Sequence, residues 1–268
     1  MKLTRYRPIP SLNNGKSNAA SAGRNNQGRI TVRHRGGGHA KNLRSLDWSR
    51  SRGTGRIIGF SYDPRRSAPL ATLLHTQSKS SGSKSAFSYI VANAGRSLFQ
   101  EIRPTGVDSV GVFARPGDQV RLGNCEPGDF ISAIEPHPNH GPRFARAAGA
   151  FAQVMVASTG GSNGGMVTVR LPSGSQRNIP ATSLATKDLI ASKIPLTRVL
   201  SGKAGRTRWQ GWRPSVRGVA RNPVDHPHGG NTAGGRPSVT FKSWPTKGQP
   251  TRAPRRQNRF VLPKIKNS

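Results

Sequence analysis

MVTVRLPSG, residues 166–174, decides how the middle of this chain is read. A short Val-rich run is closed by a Pro-Ser-Gly turn, which is the pattern of a β-strand rather than a helix. The same unit recurs on both sides. Arg56–Tyr62 (RIIGFSY), Phe87–Ala92 (FSYIVA), Ser109–Ala114 (SVGVFA) and Ala150–Ser158 are short, rich in Val, Ile and Phe, and bounded by turn residues. Asp63-Pro64, Pro116-Gly117-Asp118 and Pro127-Gly128-Asp129 supply further turns. Strands at this spacing predict small barrels, not a parallel sheet. Two barrels fit the length, divided near Gly123–Gly128. Thr76–Ser85 reads as an exposed hairpin loop, and Leu184–Ser192 as the one short helix.

Outside this middle the composition changes. Of the 52 Leu, Ile, Val and Phe residues, 36 lie between residues 52 and 200. The flanks are too poor in apolar residues to build a core. Ten Lys/Arg precede Asp47 with no acid among them, and fifteen follow residue 200 against a single acid, Asp225. The whole chain of 268 residues carries 43 Lys+Arg against 10 Asp+Glu, a formal charge of +33. Such a charge opposes compaction unless a polyanion neutralises it. An ordinary metabolic enzyme does not fit this balance. The single cysteine, Cys125, excludes a disulfide scaffold and a Cys-rich zinc site, and reads as a buried thiol without a redox role. The longest apolar stretch, Ala147–Ala157, is too short for a membrane span and contains Gln153. No secretory signal is expected. Residues 1–22, Ser/Asn-rich and acid-free, fit an organelle-targeting segment or a plain basic arm equally well.

The flanks hold the suggestive chemistry. Gly23–Arg44, GRNNQGRITVRHRGGGHAKNLR, sets Arg24, Arg29, Arg33 and Arg35 among glycines, with one strand-like piece at Arg29–Arg33. Gly36, Gly37 and Gly38 reach positive φ and allow close backbone approach to a ligand. His34 and His39 flank that run. A metal pair there is less favoured than hydrogen bonding to backbone or phosphate. Gly202–Arg221, GKAGRTRWQGWRPSVRGVAR, interleaves Trp209 and Trp212 with Lys203, Arg206, Arg208, Arg213, Arg217 and Arg221. Arginine forks match phosphate, and aromatic rings stack on bases. A solvated basic linker is the plainer alternative, but it rarely carries two tryptophans. Gly202-Lys203 lacks the rest of a P-loop. Asn222–Gly230, NPVDHPHGG, places Asp225 beside His226 and near His228. An Asp–His base or a two-histidine metal site is one reading. A rigid hydrogen-bonded loop wedged into folded RNA is favoured, since no nucleophile elbow and no HExxH motif accompanies it. Asn222 opens that loop. From Ser201 onward the chain reads as an extended tail.

Taken in order, GRNNQGRITVRHRGGGHAKNLR, YDPRRSA (Tyr62–Ala68), RFARAAGAFAQV (Arg143–Val154), LPSG (Leu171–Gly174), the Gly202–Gly230 block and TKGQPTR (Thr246–Arg252) resemble the universal large-subunit ribosomal protein L-two family. Arg65 stands where the family has Asn, and Ser175 where it has an acid. The resemblance implies a mainly β protein: an OB-fold barrel followed by an SH3-like barrel, with extended basic N- and C-terminal tails. The expected division is a basic N-terminal extension at 1–33, an OB-fold RNA-binding domain at 34–124, an SH3-like domain at 125–200 and an extended basic region at 201–268. The resemblance implies a structural, non-enzymatic role near the peptidyl transferase centre. Its partners would be large-subunit rRNA, neighbouring ribosomal proteins and the small subunit at the interface. It implies no membrane, no small-molecule substrate and no cofactor beyond Mg2+ carried by the rRNA. Arg66 and Arg146 match the family's rRNA-contacting motifs, and Asp225, His226 and His228 its histidine loop. The wording SAGRNNQGRITVRHRGGG resembles mitochondrial members, so a mitochondrial ribosome is expected, with plastid or bacterial ribosomes as alternatives. A free-standing OB-type nucleic-acid binder is the alternative function.

Overall fold

Val167 and Val169 of the opening stretch are fully buried while Arg170 is exposed, the alternation a one-sided strand requires. They lie on a strand of a computed structural model that describes residues 9, 12–17, 21–50, 53–75, 87–103, 114–156, 165–192, 202–230, 236–249, 258 and 260–262. Two units are distinguished. The first comprises Met1–Ser17, Lys41–Arg198 and Arg259–Ser268, and the second Asn18–Ala40 and Val199–Asn258.

The first unit holds every assigned strand. β1 (Asn13–Ser17) pairs with β2 (Lys41–Arg44). β3 (Gly55–Ser61), β4 (Leu70–His75), β5 (Phe87–Val91) and β6 (Glu101–Ile102) form an antiparallel sheet in the order β5-β4-β3-β6. A register shift between Ile57 and Gly59 bends it. Both faces are covered: Ile57, Phe60, Leu73, Ile90 and Ile102 pack in one cluster, and Leu12, Leu70, Tyr89 and Ile190 in another. The Tyr89 hydroxyl, deep in the second cluster, accepts a bond from the Ile9 N–H at 3.0 Å.

The second sheet runs β11-β10-β9-β8-β12-β7. Its members are β7 (Gln119–Arg121), β8 (Phe130–Ser132), β9 (Ala152–Val156), β10 (Met166–Arg170), β11 (Gln176–Pro180) and β12 (Leu184–Lys187). Its inward residues, among them Leu122, Ile131, Ile134, Val154, Val167, Val169 and Ile179, close one core. Cys125 joins that core. Burial, reinforced by Asp129 against an opposing Lys187, pushes its thiol up to about 12, so it stays protonated.

Arg50 is buried in the same unit. It donates to the Gly117 carbonyl at 2.6 Å and to the Thr186 hydroxyl at 3.2 Å. Burial lowers its pKa to about 10 against the pull of Asp118 and Asp47, so it remains charged at neutral pH. The guanidinium thus ties the turn before β7 to β12.

Two local expectations are corrected. Leu184–Ser192 is not a helix: Leu184 to Lys187 form β12, paired with both β7 and β8, and Ile190 bridges to Asn93. Leu, Ala and Lys favour helix locally, but two neighbouring strands satisfy the backbone better. Arg29–Arg33 is a series of bends, with a single bridge from Ile30 to Arg24. The strand expected at Ser109–Ala114, save Ala114, and the loop at Thr76–Ser85 lie outside the described residues.

Candidate nucleic-acid interface

The second unit has no buried apolar side chain among its described residues. Backbone hydrogen bonds hold it instead. The Gly36 N–H donates to the Gly211 carbonyl at 3.0 Å, the His39 N–H to Trp209 at 2.9 Å, and the Arg213 N–H to His34 at 3.0 Å. The residues before the first barrel and those after the second therefore lie side by side. Gly38 is placed by necessity. A Cβ there would stand 2.9 Å from the Gly211 Cα, and its φ is +97°.

Among the described residues, one α-helix, α1 (Ala204–Trp209), follows Lys203. It buries no side chain, so Arg206 and Arg208 point to solvent, and Arg208 reaches back to the Trp212 carbonyl at 3.2 Å. Cations lie over the aromatic rings. Arg35 sits 3.6 Å above Trp212, Lys203 5.0 Å from Trp209, and Arg33 4.3 Å above Phe241. Arg24, Arg29, Arg213 and Arg217 are exposed. Arg24 and Arg29 flank a turn closed by the Asn25 side chain, which accepts from the Gln27 and Arg29 N–H groups at 3.0 Å each.

The NPVDHPHGG loop is a closed hydrogen-bonded object. The Asn222 carbonyl accepts from Asp225 and His226, and the Gly230 N–H returns to Arg221. The His228 N–H donates to His226 Nδ1 at 3.0 Å. The His228 Nε2 lies 2.7 Å from the Pro237 carbonyl, which makes it the donor there. Desolvation, then the neighbouring His228 and Arg221, hold the His226 imidazole below its ordinary value. Among the described residues, no hydrogen bond or ion pair joins the Asp225 carboxylate to His226. The His34 ring meets the Pro214 carbonyl, while His39 meets Trp209 through its backbone. The described residues contain no cluster of three or more metal-ligating side chains.

In the first unit, Arg66 and Arg146 converge on one ring. Their guanidinium carbons lie 5.3 and 5.9 Å from the Trp48 centroid. Asp63, buried, holds Arg66 at 3.3 Å. Desolvation lowers the Arg66 pKa, Asp63 opposes that, and Arg146 adds to it. Trp48 and Phe241 were not singled out in the sequence. Their signal is the one that marked Trp209 and Trp212: an aromatic among basic residues, with Arg50 near the first and Lys242 beside the second.

Two small β modules and an arginine-dense unit with no buried apolar side chain among its described residues are the features of an RNA-binding protein. Residues 11–102 match the family model for Ribosomal Proteins L2, RNA binding N-terminal domain, and residues 115–248 that for the C-terminal domain. The chain belongs to the ribosomal protein L2 family. It is 43% identical over 251 residues to the large ribosomal subunit protein uL2m of Reclinomonas americana, covering 92% of this chain and 85% of that one. It is 42% identical over 256 residues to uL2 of a Wolbachia from Drosophila simulans, covering 93% and 86%. With uL2 of Shewanella sp. strain ANA-3 it shares 38% over 265 residues, covering 97% and 90%. The first sheet is thus the OB-like module and the second the SH3-like one. The protein is a structural, RNA-binding constituent of the large ribosomal subunit, with rRNA and ribosomal proteins as partners.

Proposed function

We propose that this chain organises large-subunit rRNA near the peptidyl transferase centre of a mitochondrial ribosome and supports association with the small subunit. The observation that carries the reading is the second unit: Gly36 and Gly38 pinned against Gly211, surrounded by exposed arginines, with no buried apolar side chain among its described residues. Arg24, Arg29, Arg33, Arg35, Lys203, Arg206, Arg208, Arg213, Arg217 and Arg221 neutralise phosphates that lie close together in folded RNA. Gly36, Gly37 and Gly38 let the backbone follow the phosphodiester, with His34 and His39 beside them. Trp209 and Trp212 offer ring faces to bases. Arg66 on the OB-like module and Arg146 on the SH3-like one form a second contact point around Trp48. RNA is recognised by shape and phosphate arrangement.

Asn222, Asp225, His226 and His228 act as a preformed wedge, and peptide-bond chemistry stays with the RNA. This is supported by His226 Nδ1, the nitrogen a base would use, being engaged by the His228 N–H. The mitochondrial assignment is supported by the uL2m relative.

The test is sedimentation of purified mitochondria and of the remaining lysate on sucrose gradients, with detection of this chain. Migration with the mitochondrial large subunit after a moderate salt wash is expected. Recovery only in a non-mitochondrial ribosome overturns the compartment. Recovery as free protein overturns the ribosomal placement itself.

A further inference from the structure

Ser238 to Thr246 form a closed hairpin. The Thr246 N–H donates to the Ser238 carbonyl at 2.9 Å, and the two hydroxyls meet at 2.8 Å. Val239 bridges to Pro245. At the tip, the Thr240 N–H donates to the Trp244 carbonyl at 2.8 Å, and the Trp244 N–H to the Thr240 hydroxyl at 3.2 Å. Ser243 takes a positive φ of 62° to complete the turn. The base is anchored as well: His228 donates to Pro237, and Arg236 to Pro227, each at 2.7 Å.

This hairpin holds two aromatic rings in different states. Phe241 lies beneath Arg33 and 5.7 Å from the Lys242 ammonium. Trp244 is 71% exposed, and among the described residues no ring or cation lies over it. Its backbone is bonded at both N–H and C=O, so little backbone entropy remains to be lost on binding. The chain around it contains Arg236, Lys242 and Lys247, and no acid occurs from His226 to the end. A preorganised, uncovered indole in a purely cationic surround calls for a ligand that is both flat and anionic.

We infer that Trp244 is a stacking platform for one unpaired base of rRNA, with Lys242 and Lys247 holding the adjacent phosphates. The inference rests on the RNA-binding reading above and adds a base contact to it. A base offers a π-face whatever its identity, so this contact gives affinity without reading sequence. An apolar protein side chain as the occupant would gain nothing from the surrounding cations.

The full-length chain, wild type and variants, is titrated with a transcript of the large-subunit rRNA from its own ribosome at several salt concentrations. Trp244→Ala is expected to weaken binding by roughly five- to a hundredfold, the loss typical of one stacked base. The slope of affinity against salt is expected to stay unchanged, because no phosphate contact is removed. Trp244→Phe restores most of the loss, while Lys242→Ala lowers the slope. Equal binding by wild type and Trp244→Ala overturns the stacking assignment and leaves the RNA-binding reading intact, as would a Trp244→Ala defect confined to capture of a ribosomal protein. A Trp244→Phe loss as deep as that of Trp244→Ala, with a reduced slope, also overturns it by showing collapse of the hairpin. Failure of the wild type to bind at all overturns the RNA-binding reading instead.

Discussion

Ile131 at the centre of the SH3-like sheet is fully buried among Val154, Val167 and Val169, whereas no apolar side chain among the described residues of the Gly/Arg-rich unit is fully buried. In the barrels, side chains hold the backbone in place. In the basic unit, backbone bonds such as Gly36 to Gly211 hold the side chains out. The first arrangement is sufficient alone, because burying apolar surface stabilises it in water. The second has little to gain from water. Its exposed arginines repel one another.

Salt separates the two most sharply. With about six to ten phosphate contacts, rRNA affinity should fall by roughly three to five decades between 50 and 200 mM salt. The thermal melting of the barrels should move little over the same range. Both are measured on one preparation, by filter binding and by circular dichroism. A salt-insensitive affinity would falsify the electrostatic mechanism.

A core truncation should do the reverse. Ile131→Ala removes a fully buried side chain and leaves a cavity. Unfolding in urea should become about 2–5 kcal/mol easier. Below the melting temperature, the salt slope of rRNA binding should match wild type, since no charge is touched. A changed slope would mean that the two units are not separable in this way.

Glycine substitutions sharpen the contrast at smaller scale. Gly38→Ala meets the Gly211 backbone at 2.9 Å and must hold a φ of +97°. Gly37→Ala has a φ of +63° with nothing within 4 Å. Gly38→Ala should therefore weaken rRNA binding by roughly tenfold or more, from a strain of about 1–3 kcal/mol. Gly37→Ala should cost about 1–2 kcal/mol at most. Neither should shift the melting of the barrels. Equal effects of the two would show that the contact with Gly211 is not what matters.

The sequence disclosed the two regions unevenly, and for physical reasons. β3, β5, β9 and β10 were legible because a half-buried or sheet-centre strand needs Val, Ile and Phe in short runs. β4 was not, because LATLLH is buried almost throughout and has no alternation to detect. β11, QRNIP, buries one residue, Ile179, and otherwise looks like loop. β12 was misread as helix because its pairing with β7 and β8 is decided by distant residues. In the basic unit α1 left no periodic trace, since it buries nothing. Its arginines, glycines and two tryptophans were plain as residue types. That Arg35 would lie on Trp212, or Gly38 against Gly211, is a pairing across more than 170 residues that no local pattern contains.

The smallest expected effect concerns the histidine loop. The His226 imidazole is held below its ordinary value of 6.5, first by desolvation and then by His228 and Arg221. Between the lowered value and 6.5, an opened loop binds more protons than the closed one. The closed loop is therefore fully favoured above pH 6.5. It loses ground as pH falls below 6.5, and the loss is complete once pH has passed the lowered value. Protonation also removes the Nδ1 lone pair that accepts the His228 N–H, so acid acts on the hydrogen bond that shapes the turn. An NMR titration of the His226 ring, with amide exchange at Gly229 as the reporter of opening, reads both quantities. A ring that titrates at or above 6.5, or a Gly229 amide whose protection is level from pH 8 to 5, would show that the loop is set by Asn222 and the prolines alone. The barrel amides, with Ile131 and Val169 as references, should show no such slope.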